Sequence, residues 1–75
     1  MFKLSDRLFN LRYNNRYNSY FTQAELAEFL HVSRVTYCRY ENGDRRLSLG
    51  QLWSLADFYG VTIDYLVGRS DEPGL

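Results

Sequence analysis

The sequence has very few of the residues that form cross-links and metal sites. It contains one cysteine, Cys38, and one histidine, His31, which excludes an internal disulfide and a structural zinc site. A reducing compartment fits this composition. No stretch approaches the roughly 18 consecutive apolar residues of a membrane span, so we expect none. The first residues carry Asp6 and no long apolar run, so we expect no secretory signal.

Net charge is absent as well, but the charges are unevenly distributed. The chain holds 9 basic and 9 acidic side chains, with a net charge of +3 over residues 1–46 and −3 over residues 47–75. This asymmetry favours binding of a polyanion by the first part of the chain, although most charged protein surfaces are merely solvated. A length of 75 residues with 45% apolar residues predicts one domain with one small core.

Five segments begin with the local pattern of a helix N-terminus, in which a hydroxyl side chain follows an apolar residue. The predicted N-caps are Ser5, Thr22, Ser33, Ser48 and Thr62. Glu25 and Gln51 complete two capping boxes, because each lies three residues after a cap. Gly43, Gly60 and Gly68 follow the last three segments, where a left-handed C-cap is favoured.

These signals predict helices near residues 5–15, 22–30, 33–42, 48–59 and 62–67 and no strand, so the fold class is all-α. The stretch 14–20, rich in Asn and Tyr, either extends the first helix by a turn or forms a loop. We expect a domain over residues 1–69, followed by a short polar tail or the start of a linker over residues 70–75.

The joint between the second and third predicted helices is very short. Only His31 and Val32 separate the end of one helix from the Ser33 cap of the next. Two helices joined in this way cross steeply and need a small residue at their contact, which Ala27 supplies. The spacing therefore predicts a helix-turn-helix.

The third predicted helix has two different faces at about 100° per residue. The inward face holds Thr36, Tyr37 and Tyr40, and the outward face holds Arg34, Val35, Cys38 and Arg39. The outward face suits a DNA major groove, because an arginine can donate two hydrogen bonds to guanine and a valine methyl can contact thymine. Groups that can contact phosphates are nearby in Thr22, Gln23, Ser33, Arg45 and Arg46. The alternative for this face is an ordinary solvated surface.

These motifs resemble a known family. Residues 22–36 (TQAELAEFLHVSRVT) and 39–43 (RYENG) are similar to the helix-turn-helix of the phage-repressor (Cro/cI-like) and xenobiotic-response-element (XRE) regulators. The resemblance covers roughly residues 4–68. It implies a compact five-helix domain of the lambda-repressor type that binds DNA, in which the helix opened by Ser33 is the recognition helix.

The resemblance also implies roles for individual residues. Base contacts are implied for Arg34, Val35 and Arg39, and phosphate contacts for Gln23, Ser33, Asn42, Arg45 and Arg46. A structural ion pair is implied between Arg12 and Glu41. The chain departs from the family at His31, where glycine is usual, and in a longer segment between Arg12 and Phe21. Tyr37 replaces an aliphatic core residue, so we expect its hydroxyl to reach a partner or water.

The sequence thus predicts a sequence-specific transcriptional regulator, most simply a repressor. Because one module has a small footprint, we expect a homodimer on a two-fold symmetric operator in double-stranded DNA. The candidate dimer contact is Trp53, Phe58 and Tyr65, unless these residues only cover core edges. We expect no catalytic residues, since His31 and Cys38 lack a third residue to orient the histidine. We also expect no metal and no small-molecule cofactor, and the sequence does not name an inducer. The expected location is the cytoplasm of a bacterium, bound to the nucleoid, with a bacterial or phage origin.

Two other interpretations stay open. A protein-interaction module, antitoxin-like or an adaptor, would keep the helix-turn-helix without DNA affinity and would fit the zero net charge. The chain could also be the first part of a longer regulator with a sensing domain after Gly74. Within the DNA-binding interpretation, oxidation of Cys38 on the outward face is a conceivable switch.

Overall fold

The computed structural model describes residues 3–74 and folds them into five helices without a strand. The helices are α1 (Lys3–Tyr13), α2 (Gln23–Leu30), α3 (Arg34–Asn42), α4 (Leu49–Tyr59) and α5 (Ile63–Leu66). The predicted all-α class with five helices is confirmed. Within residues 3–74, no helix has the length and apolar character needed to cross a membrane.

Four of the five predicted N-caps are confirmed. The side chains of Thr22, Ser33, Ser48 and Thr62 each accept a hydrogen bond from the backbone N–H three residues later, and both capping boxes are complete. The prediction for Ser5 is wrong, because α1 already includes Lys3 and Ser5 is a buried residue of its first turn. Leu4 and Leu8 lie one turn apart and both pack on the core, so the apolar face continues before Ser5 and the helix follows it.

The helix ends are left-handed as predicted. Gly43 and Gly60 have φ of 81° and 69°, and Gly68 after α5 also has a positive φ. His31 ends α2 in the same conformation, with φ 60° and ψ 41°. The next N–H, of Val32, donates to the Ala27 carbonyl at 3.0 Å, which completes a Schellman motif on a residue with a side chain. A left-handed conformation costs a non-glycine residue about 1–2 kcal/mol.

One core holds the helices together. α2 packs on α3, α1 packs on both α3 and α5, and α4 packs on α5. The buried apolar residues are Leu8, Leu11, Leu26, Ala27, Leu30, Tyr37, Tyr40, Leu55, Ala56, Tyr59, Val61 and Leu66. Because every helix except the short α5 contributes two or more of them, the orientation of α3 is set by contacts on several sides.

The stretch 14–20, which the sequence left open, is an ordered loop. The Asn15 side chain donates to the carbonyls of Leu11 at 2.8 Å and Ser19 at 2.7 Å, and so closes the loop on itself. The Tyr17 hydroxyl donates to the Phe58 carbonyl at 2.7 Å. The loop is therefore attached to α1 at one end and to α4 in its middle.

The C-terminal residues also contact the domain. Arg7 donates to the Ser70 carbonyl at 3.1 Å and to Asp71 Oδ1 at 2.8 Å. The N–H of Thr62 donates to the Pro73 carbonyl at 3.0 Å. Residues 70–73 thus lie against α1 and the start of α5. The domain prediction of 1–69 and the tail prediction of 70–75 both extend to residues outside the described range.

Candidate nucleic-acid interface

The faces of α3 follow the predicted pattern. Tyr37 and Tyr40 are buried, at 0% and 6% exposure. Val35 is 59% exposed, and Arg34 and Arg39 are exposed as well. Ser33 caps the N-terminus of the helix, and Tyr37 and Tyr40 anchor its inward face in the core. Arg34, Val35 and Arg39 therefore project from a rigid segment. The fourth candidate for base contact, Cys38, is only half-buried, and its sulfur lies 3.9 Å from Asn42 Nδ2.

A polar network ties α1, α2 and α3 together. Arg12 Nε lies 2.6 Å from Glu41 Oε2 and Nη2 lies 3.0 Å from Oε1, so the structure brings the two residues of the implied ion pair together in a bidentate contact. The third nitrogen, Nη1, donates to the Phe21 carbonyl at 3.1 Å. Gln23 Nε2 donates to Glu41 Oε1 at 3.2 Å. Both charged side chains are about 95% buried, so the pair holds α3 against α1 in a site from which water is largely excluded.

Burial and charge act against each other on Arg12. Burial alone would lower the pKa of its guanidinium, but the hydrogen bonds and negative charge of Glu41 outweigh burial and raise the pKa above its usual value. Arg12 therefore stays a cation and Glu41 keeps its partner.

Two buried phenols lie near this network. The hydroxyls of Tyr37 and Tyr59 are fully buried, and neither has a hydrogen-bond partner among the described protein groups. Burial raises the pKa of both phenols well above the usual value, and the charge of Glu41 raises it further. Glu41 acts on the Tyr37 hydroxyl, but the two form no hydrogen bond of ordinary geometry, so a partner or water for this hydroxyl stays a prediction. Helical periodicity places Tyr59 on the inward arc of α4, but its position near this network could not be predicted, because α4 reaches the network only in the folded domain.

Four arginines on or after α3 have no carboxylate partner within residues 3–74. The ion pairs within residues 3–74 involve Arg7 and Arg12. Arg34, Arg39, Arg45 and Arg46 are all exposed and form no ion pair with a described residue. No carboxylate of the described residues neutralises their charges, so this surface attracts anions.

Three of the residues predicted to contact phosphates already have internal partners. The Thr22 hydroxyl accepts from the Glu25 N–H at 3.1 Å and lies 3.2 Å from Glu25 Oε1. The Ser33 hydroxyl accepts from the Thr36 N–H at 3.1 Å and donates to Thr36 Oγ1 at 2.9 Å. The amide of Gln23 donates to Glu41. Asn42, Arg45 and Arg46 are exposed, so they are the more accessible members of the set.

The three residues of the candidate dimer contact lie in different surroundings. Trp53 is 60% exposed and borders a groove between α4 and α5 that Ala56 and Ile63 also line. Phe58 is half-buried in a cluster of aromatic rings, with its centroid 4.9 Å from that of Phe29. Tyr65 lies under the Arg7 guanidinium, 3.9 Å from its ring centroid. Trp53 is therefore the member that is free to contact another molecule.

An aromatic surface next to α2 was missed at the level of sequence. The rings of Phe9, Tyr13 and Tyr20 form a chain with centroids 5.1 and 4.8 Å apart, and all three are about half exposed. The Arg12 guanidinium lies beneath them. The tyrosines were visible in the sequence, but only the loop conformation brings Tyr20 back to Tyr13. Within residues 3–74, no group of three or more His, Cys, Asp or Glu could hold a metal ion.

The chain is similar to known proteins along most of its length. A family model described as "Helix-turn-helix" matches residues 18–66. The HTH-type transcriptional regulator AnsR of Bacillus subtilis (strain 168) is 39% identical over 67 residues, which cover 89% of this chain and 54% of that protein. The uncharacterized HTH-type transcriptional regulator YobD of the same organism is 35% identical over 52 residues, or 69% of this chain and 46% of that protein. No solved structure matches the chain.

The chain spans about half the length of the curated relatives it matches. The family match covers α2 to α5, and α2 and α3 with their two-residue joint are the helix-turn-helix. On these grounds the chain belongs to the helix-turn-helix family of the phage-repressor and XRE type.

Proposed function

We propose that this chain binds double-stranded DNA sequence-specifically and regulates transcription, most simply as a repressor. The observation that carries the proposal is the set of four exposed arginines on and after α3, none of which forms an ion pair with a described residue. Arg34 and Arg39 stand with Val35 and Cys38 on the outward face of α3, where they would meet base edges in the major groove. Asn42, Arg45 and Arg46 would meet the phosphate backbone, together with the start of α2. The names of both relatives, which are transcriptional regulators, support the proposal.

The test is a selection of binding sites from random duplexes, followed by titration of the selected site. Arg34→Ala or Arg39→Ala is expected to lose about 1–3 kcal/mol of binding free energy and to relax discrimination at one base pair. Arg46→Ala is expected to weaken all sequences alike and to reduce the slope of log K against log salt by about one. An equal loss on every sequence from all three substitutions contradicts these roles.

The same proposal includes a homodimer on a two-fold symmetric operator. Half-sites would be separated by about one turn of DNA, or a multiple of it. Trp53 is the residue that we place in the dimer contact, because it is exposed beside the groove between α4 and α5. It is also the single tryptophan, so its fluorescence should shift to the blue as the protein associates. Light scattering should give a dimer for the wild type and a monomer for Trp53→Ala.

The alternative, a protein-interaction module without DNA affinity, is decided by the same selection. A folded sample that enriches no duplex at low salt would favour it. The proposal also includes a location in the bacterial cytoplasm and no enzymatic activity, as expected of a DNA-binding regulator.

A further inference from the structure

A cleft opens between the starts of α2 and α3, and the loop before α2 forms one wall of it. Tyr13 and Tyr20 line this cleft together with Gln23 and Arg34. Arg34 is a residue that the proposed function places against DNA. The cleft therefore borders the surface that a bound duplex would cover.

The position of Tyr20 is fixed by the packing of its ring and by hydrogen bonds of the backbone groups on either side of it. Its ring packs on Tyr13, with 4.8 Å between the centroids, and lies 6.0 Å from the Arg12 guanidinium. The N–H of the next residue, Phe21, donates to the Arg12 carbonyl at 3.0 Å. Asn15 fixes the preceding turn through the Ser19 carbonyl. The ring is thus ordered although it is 53% exposed.

The Tyr20 hydroxyl lies toward the Arg12 guanidinium, which can donate only to its oxygen, so the proton of the hydroxyl has no acceptor among the described groups. Among the hydrogen bonds within residues 3–74, the tyrosine hydroxyl that donates is that of Tyr17. The two hydroxyls that we predicted to contact phosphates at this edge, those of Thr22 and Ser33, are instead engaged in their own helix caps. An ordered, unused donor therefore stands where the capping hydroxyls are occupied.

We propose that the Tyr20 hydroxyl donates a hydrogen bond to a phosphate of the DNA backbone beside the bases that α3 reads, with Tyr13 holding its ring in place. The proposal rests on the proposed function. Phosphate oxygens accept hydrogen bonds and do not donate them, and tyrosine is among the side chains that meet them in complexes. The loop 14–20 lies outside the two helices, so this contact extends the footprint past the helix-turn-helix itself.

The decisive variant is Tyr20→Phe, which removes the hydroxyl and keeps the ring. It is expected to weaken binding about three- to tenfold, the usual range for one hydrogen bond, and to do so on specific and random duplexes alike. The slope of log K against log salt should stay unchanged, because a neutral phenol releases no counterion. Tyr59→Phe, which makes the same change on α4 at a buried hydroxyl with no hydrogen-bond partner among the described groups, should bind as the wild type does.

Ethylation interference locates the contact on the DNA. One phosphate whose ethylation weakens wild-type binding should lose this effect with Tyr20→Phe, while the other phosphates keep theirs. Unchanged affinity and an unchanged interference pattern would overturn the inference and leave the proposed function intact. A loss confined to one base pair would also overturn it, since it would assign Tyr20 to base recognition. A wild type that binds no duplex would overturn both proposals.

Discussion

The arginines of α1 and those of α3 and its following loop differ in what surrounds them. Arg7 donates to the Tyr65 and Ser70 carbonyls and to Asp71, and Arg12 donates to Glu41 and the Phe21 carbonyl. Both are largely buried or covered. The arginines of the second region, at positions 34, 39, 45 and 46, are exposed and form no ion pair with a described residue.

The comparison shows that burial, and not residue type, separates a structural arginine from one that is available for binding. A buried guanidinium must satisfy its N–H groups inside the protein, because each unpaired one costs free energy. An exposed guanidinium is solvated, so it contributes little to stability and can exchange water for a phosphate or a base. Substitutions in the first region should therefore change stability, and those in the second should change DNA affinity.

The largest expected effect comes from removing the buried cation. Arg12→Met leaves the Glu41 carboxylate buried without its partner, and we expect it to lower the free energy of unfolding by about 3–5 kcal/mol. Urea denaturation followed by circular dichroism measures the change. Arg34→Met makes the same substitution at an exposed position and serves as the control. The double variant Arg12→Met/Glu41→Met should recover part of the loss, because it leaves no buried charge. A loss below about 1 kcal/mol for Arg12→Met would contradict a structural role.

The next effect is a loss of stability at alkaline pH. In the unfolded chain Tyr37 and Tyr59 ionise near pH ~10, whereas burial raises the pKa of both phenols in the folded domain. Below that pH both states hold these protons, so the stabilisation is fully present. Above it the unfolded chain releases protons that the folded domain keeps, so the free energy of unfolding should fall by about 1.4 kcal/mol per pH unit for each tyrosine.

Urea titrations at several pH values between about 9 and 11 measure this slope. This range extends roughly one pH unit on either side of the tyrosine pKa in the unfolded chain. The variant Tyr37→Phe/Tyr59→Phe should have a much flatter dependence. An equally steep slope in that variant would assign the alkaline loss to other groups.

The two regions also differ in how far the sequence predicts them. The caps at Thr22, Ser33, Ser48 and Thr62 depend on groups within three residues, so the local pattern is sufficient. The outward face of α3 follows from helical periodicity. Ser5 has the same local pattern, but the packing of Leu4 on the core extends the helix beyond it.

The parts that the sequence did not predict depend on long-range contacts. Tyr17 is fixed by Phe58, 41 residues away, and no local rule selects this partner. The placement of Tyr59 beside the network of Arg12 and Glu41 requires α1, α3 and α4 to meet. The capping pattern did contain one unused signal: a cap hydroxyl that is engaged in its own helix is less available for a phosphate.

A smaller effect is expected at the joint that orients α3. His31 is exposed and left-handed, so His31→Gly should raise the free energy of unfolding by about 0.5–1 kcal/mol, the relief of strain minus the greater freedom of glycine in the unfolded chain. His31→Ala is the control and should destabilise the domain, because alanine tolerates this conformation less well than histidine. Thermal unfolding of both variants and the wild type measures these differences in stability. If His31→Gly were less stable than the wild type, the His31 side chain would contribute a favourable contact.

The smallest change in stability is expected at an exposed arginine of α3. Methionine has nearly the same helix propensity as arginine, so Arg39→Met should change the free energy of unfolding by less than about 0.5 kcal/mol. The same sample should bind its selected duplex more weakly, because the lost guanidinium has its function outside the domain. The free energy of unfolding and the DNA affinity should be measured on one preparation of each variant. Arg12→Met should lower the free energy of unfolding, whereas Arg39→Met should lower only the DNA affinity. If Arg39→Met were as unstable as Arg12→Met, exposure would not distinguish the two kinds of arginine in this domain.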